Sequence, residues 1–77
     1  MIKVLFFAHL KEEVGTDSLE MDSHLLTVKE VKKYVESLHP IVNLQQVMTA
    51  VNEEFALDDE IVKDGDIIAF LPPVSGG

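Results

Sequence analysis

Hydrophobic and polar positions follow two different rhythms along this chain. Residues 2–8 are almost entirely apolar, the pattern of a strand buried in the middle of a sheet. Lys3 marks one face of that strand as open to water, and alternation puts Leu5 and Phe7 on the same side. Val4, Phe6 and Ala8 are then predicted to point into the core. Residues 9–14 can make a short helical turn, which Gly15 would end as a left-handed cap. Across residues 17–22, Leu19 and Met21 alternate with Ser18, Glu20 and Asp22, so a half-exposed edge strand is expected, antiparallel to the first. After that the rhythm changes. Val28, Val31, Val35 and Leu38 recur at helical spacing and form one apolar stripe, with Lys29, Lys32, Lys33 and Glu36 on the wet face. Thr27 and Glu30 have the spacing of a capping box, in which each side chain satisfies the other's free backbone N–H. Pro40 disfavours the helical conformation at His39, so the helix should stop there.

The strand rhythm returns in residues 47–52, with Asn52-Glu53-Glu54 as a turn and residues 55–57 as a short return strand. Lys63-Asp64-Gly65-Asp66 reads as another turn, in which Gly65 is free to take positive φ. Residues 67–71 are the second continuous apolar run. The first and last strands are thus the most apolar, and both belong at the centre of the sheet as neighbours. A right-handed crossover through the helix would make them parallel. The expected fold is α+β, with a mixed four- to five-stranded sheet and one main helix packed across one face. That is the β-grasp, or ubiquitin-like, arrangement. Residues 1–71 would form the domain and residues 72–77 a flexible tail.

Composition narrows the function classes. At 77 residues there is room for one domain with one small core, and 47% apolar residues in regular patterns indicate a folded chain. The absence of cysteine removes disulfides, thiolate metal sites and a thiol nucleophile. The first apolar run is too short for a signal-peptide core, and no stretch approaches the ~20 apolar residues of a membrane span, so a cytoplasmic location is expected. Fourteen acidic against six basic residues, with no arginine, disfavour nucleic acid as a partner. The net charge of −8 suits a basic protein partner, and it suits solubility equally well.

Candidate chemistry on side chains is sparse. His9, His24 and His39 stand on separate segments without metal-ligand spacing, so no metal is expected. Asp58-Asp59-Glu60 and Asp64-Gly65-Asp66 lack the ligand alternation of a calcium loop and read as turns. Ser75 has no partner base, and no glycine-rich phosphate loop accompanies the lysines, so no cofactor is expected on this chain. The chemistry-bearing feature is the tail. Pro72 and Pro73 favour a stiff, extended exit from the sheet. Gly76 and Gly77 carry no Cβ and can pass through a channel too narrow for other residues. Extended, the residues beyond Leu71 reach roughly 20 Å. A free carboxylate is a poor electrophile, but coupling it to AMP gives a mixed anhydride open to nucleophiles. Such a domain needs an accessible terminal carboxylate and a docking surface. Phe7 and Leu71, both predicted on the sheet face away from the helix, could supply that surface as an apolar patch, unless both are simply core.

Residues 1–8, Gly15-Thr16-Asp17, Ala50-Val51-Asn52 and Phe70-Leu71-Pro72-Pro73-Val74-Ser75-Gly76-Gly77 together resemble the small, sulfur-carrier subunit of molybdopterin synthase, over essentially the whole chain. The resemblance implies that an ATP-dependent adenylyltransferase of the ubiquitin-activating type adenylates the carboxylate of Gly77. A sulfur donor protein then converts it to a thiocarboxylate. Pro72, Pro73, Val74, Ser75 and Gly76 would enter the active site of the large synthase subunit, and the terminal sulfur would attack the cyclic pyranopterin monophosphate precursor. Two deliveries would build the dithiolene, within a heterotetramer of two small and two large subunits. On this reading the chain is no enzyme alone but the sulfur-donating half of one. Three alternatives share the fold: a sulfur carrier for thiamine thiazole synthesis, a ubiquitin-like protein modifier, and a passive interaction domain. The Pro-Pro-Val-Ser approach to the glycines argues against the first of these.

Overall fold

The computed structural model describes residues 1–23, 25–45 and 47–71. In chain order the elements are β1 (Ile2–Phe6), α1 (His9–Val14), β2 (Ser18–Met21), β3 (Leu25–Thr27), α2 (Val28–Leu38), β4 (Met48–Val51), β5 (Glu54–Phe55), β6 (Ile61–Lys63) and β7 (Ile67–Leu71). Five strands form the main sheet in the order β2-β1-β7-β4-β5, and β3 and β6 form a separate two-stranded ribbon. The two most apolar strands are central neighbours as expected, and they run parallel, with Val4 beside Ile68 and Phe6 beside Phe70. The Phe6 and Phe70 rings lie 6.3 Å apart and tilted by 30°, within the range of favourable aromatic pairs. β2 is an antiparallel edge strand, as its alternation predicts.

One face of the sheet and one stripe of α2 make the core. Ile2, Val4, Phe6, Ile68 and Phe70 are buried against Val28, Val31 and Val35. The capping box forms: Thr27 Oγ1 accepts from the Glu30 N–H, and Glu30 Oε1 accepts from the Thr27 N–H at 2.9 Å. His39 caps the far end, as Pro40 requires. This is the β-grasp arrangement.

Several local expectations are corrected. Ala8 is exposed rather than in the core, because β1 ends at Phe6 and the chain turns at Ala8 with φ 54°. Leu38 is also exposed, since the apolar stripe is completed by Val42 and Leu44 after the helix has ended. Two residues assigned to the wet face of α2 are half-buried. Lys32 Nζ donates to Asp58 Oδ1 at 2.7 Å, and Glu36 Oε2 accepts from the Leu44 N–H at 2.9 Å. The short return strand is Glu54–Phe55 rather than residues 55–57. The β3–β6 ribbon has no forewarning in the pattern, being three residues long on each side. It carries the loop before β6 onto the start of α2, where the Asp58 and Glu60 carbonyls accept from the Lys29 and Val28 N–H groups. Those donors have no partner inside the helix, so a carbonyl from elsewhere completes them.

Candidate docking face at the root of the tail

The sheet has a second face that no helix among the described residues covers. Cross-strand register decides which residues share it. Met48 is opposite Leu71, Ala50 is opposite both Ala69 and Phe55, and Leu5 is beside Ala69. Paired residues point to the same side, so Leu5, Met48, Ala50, Phe55, Ile67, Ala69 and Leu71 form one continuous apolar surface. Phe55 is 70% exposed, while Ile67 and Phe7 are each 43% exposed. A patch of this kind on a small acidic domain is a mark of an interaction surface.

Phe7 and Leu71, the two residues expected here, are brought together at one end of this face. Phe6 is level with Phe70, which puts Phe7 level with Leu71 across the parallel pair. Leu71 is half-buried and Phe7 more exposed, so neither is a fully buried core residue. Phe7 owes its position to the turn that follows it. The Leu10 N–H donates to the Phe7 carbonyl at 3.2 Å, with Ala8 in positive φ at the first central position, the hairpin-like geometry that glycine prefers. Leu10 and Val14 then anchor α1 in the core, and Gly15 ends it in the left-handed conformation at φ 88°.

Phe55 was legible only as a strand residue. Its place on the open face depends on β5 pairing with β4, which no local pattern reveals. Met48 was missed for want of its partner strand, whereas Ile67 was within reach of the sequence, since alternation along β7 puts it on the side of Leu71.

The far end of the face is held by a polar network. Asn52 and Glu53 link β4 to β5 with φ of 51° and 71°. Asn52 Nδ2 donates to Asp66 Oδ1 at 3.0 Å, and Asn52 Oδ1 accepts from the Ile67 N–H at 3.0 Å. Asp66 Oδ2 accepts from the Lys63 N–H at 2.8 Å. The Lys63 backbone N–H, and after it the Asn52 amide, hold the Asp66 carboxyl below the usual carboxylate range. Gly65 makes the turn before it possible, at φ 92°. The β4–β5 hairpin turn and the turn between β6 and β7 are thereby tied together at that end of the face.

Pro72, Pro73, Val74, Ser75, Gly76 and Gly77 lie outside the described residues, as do His24 and Gln46. The last described residue, Leu71, ends the central strand at the Phe7 end of the face. A separate groove, lined by Met21, Leu26, Glu30, Lys33 and Tyr34, lies near the start of β1, at the opposite end from Leu71. Among the described residues no group of three His, Cys, Asp or Glu side chains could hold a metal, and no helix is long and apolar enough to cross a membrane.

Comparison with known proteins adds to this geometry. The model of the ThiS family matches residues 4–77. The chain belongs to the ThiS family. Among its curated relatives, the molybdopterin synthase sulfur carrier subunit of Escherichia coli K12 is 40% identical over the full length of both chains. The crystal structure of SAMP1 from Haloferax volcanii superposes with a TM-score of 0.82 at 26% identity, covering 99% of this chain and 98% of that one. A complex of subunits 1 and 2 of the molybdopterin-converting factor from Helicobacter pylori 26695 contains a chain matching with a TM-score of 0.62 at 25% identity, covering 99% and 97% respectively. This ThiS-family member thus shares its β-grasp fold with proteins that are carriers, modifiers and members of two-subunit complexes.

Proposed function

We propose that this ThiS-family protein is the sulfur-carrier subunit of molybdopterin synthase, acting in molybdenum cofactor biosynthesis. The observation that carries the proposal is the 40% identity, end to end, with the Escherichia coli sulfur carrier subunit. In this reading Gly77 supplies the reacting carboxylate. An adenylyltransferase resembling the ubiquitin-activating type joins it to AMP from ATP, releasing pyrophosphate. Sulfur from a donor protein displaces AMP and leaves a thiocarboxylate. That group is ionised at neutral pH and is a good sulfur nucleophile, suited to attack on the cyclic pyranopterin monophosphate precursor. The chain itself binds no cofactor in this scheme, and the reaction takes place in the cytoplasm.

The open sheet face is the proposed dock for the large subunit, within a heterotetramer of two small and two large subunits. Phe7 and Leu71 anchor that dock beside the root of the tail. Residues 1–71 act as the mount, and Pro72, Pro73, Val74, Ser75 and Gly76 carry Gly77 into the partner's active site. A basic entrance there would meet the tail's negative charge with charge-assisted hydrogen bonds.

The test is the intact mass of the protein after incubation with ATP, the activating enzyme and a sulfur source. The expected result is a gain equal to the exchange of one oxygen for sulfur, confined to the C-terminal peptide. Deleting Gly77, or adding one residue after it, is expected to abolish the gain and leave thermal unfolding unchanged. Sulfur transfer that persists in either variant would refute the proposal. The close superposition on SAMP1, a small archaeal modifier protein, favours a second reading as a protein modifier. Higher-mass conjugates in cells that depend on Gly77 would support that reading instead.

A further inference from the structure

Among the described residues, three non-glycine residues have positive φ, and all three border the open face: Ala8 follows Phe7, and Asn52 with Glu53 forms the β4–β5 turn. A two-residue hairpin turn with both φ positive suits Asn followed by Gly. Asn52 satisfies the first position, and its amide is fully engaged with Asp66 and the Ile67 N–H. Glu53 does not satisfy the second, because a Cβ is unfavourable at φ 71°. Among the described residues no hydrogen bond or ion pair involves the Glu53 side chain, which is exposed and shares a groove with Leu5, Phe7, Ile67 and Ala69. Strained backbone kept at a residue with no internal partner points to an external one.

We propose that Glu53 is a specificity-determining docking residue, whose carboxylate meets a Lys or Arg of the large subunit at the rim of the apolar contact. The proposal rests on the reading of the open face as the large subunit's dock. On the β2 side of the same face Lys3 is paired with Glu20, and Lys11 and Asp17 line one groove with Phe7, so that flank carries both signs of charge. Glu53, by contrast, is the one charged side chain among the described residues that line the groove it shares with Leu5, Phe7, Ile67 and Ala69. A single charge at one edge of an apolar groove favours one orientation of a partner that carries the complementary charge. Rim charges act mainly on encounter rate and orientation, and salt screens them.

The measurement is affinity for the cognate large subunit, by calorimetry at low and at high salt, for the full-length wild type and the variants Glu53→Gln, Glu53→Gly and Phe7→Asp. Thermal unfolding of each free chain is recorded alongside. Glu53→Gln is expected to bind roughly three- to tenfold more weakly at low salt, with the difference shrinking as salt rises. Glu53→Gly is expected to lose the same affinity while unfolding at a higher temperature, which separates the docking role from a structural one. If Glu53→Gln and Glu53→Gly bind as tightly as wild type at low salt while Phe7→Asp loses binding, the Glu53 assignment is overturned and the dock stands. If Phe7→Asp also binds normally, the dock is wrong and the Glu53 assignment falls with it.

Discussion

Thr49 faces the core on β4 opposite Phe70, and its Oγ1 is buried with no hydrogen-bond partner among the described residues. A buried hydroxyl left unpaired costs on the order of 1–3 kcal/mol, whereas valine has nearly the same shape and no such demand. Thr49→Val is therefore expected to raise stability by about 1 kcal/mol, read as a higher urea midpoint with an unchanged slope. No sequence pattern marks Thr49 out, because Thr is common in strands and its lack of a partner is a property of the packed interior. Ala8 shows the same limit from the other side. Strict alternation counts it inward, but a turn with positive φ ends the strand before it can take that place. Phe7 was placed correctly because its face depends only on Leu5 and Lys3, two and four residues away.

Secondary-structure elements with local chemistry were legible, and those that need a distant partner were not. The start of α2 was readable because Thr27 and Glu30 are both donor and acceptor of one motif. Thr27→Ala removes the hydroxyl that accepts from the Glu30 N–H, while the backbone N–H that donates to Glu30 stays, and is expected to cost about 1 kcal/mol in denaturant unfolding. The same motif gives a pH dependence. The Thr27 backbone N–H, and then its hydroxyl, hold the Glu30 carboxyl below its usual range, as Lys63 and Asn52 hold that of Asp66. A carboxyl whose folded value is depressed stabilises the fold above its unfolded value and loses that contribution as pH falls through the folded one. The melting temperature is thus expected to hold steady from neutral pH down to about 5 and to fall below about 4. Removing either carboxyl, as in Glu30→Gln, should make that acid fall shallower. By contrast β3 and β6 are held by each other, and neither three-residue strand carries enough alternation to be recognised alone.

On the scale of the whole molecule, two surfaces of one sheet divide the labour: the helix side holds the fold together, and the open side is left apolar. If that open side is the dock, Phe55 should matter as much as Phe7, since it is the more exposed of the two. Phe55→Asp is expected to weaken association with the large subunit by about thirtyfold or more, with little change in thermal unfolding of the free chain. Loss of folding instead would show that the open face is structural. The sequence by itself determined the fold class, the parallel pairing of the first and last strands, the capped helix and the family. Each of these follows from local periodicity, a contiguous motif or the relative apolarity of two runs. Tertiary structure alone decided that Met48 and Phe55 join Phe7 and Leu71 on one surface, that Lys32 and Glu36 turn inward, and that Glu53 borders the same groove as Phe7. Those facts depend on strand register and on where a chain turns, and both are settled by contacts between residues far apart in sequence.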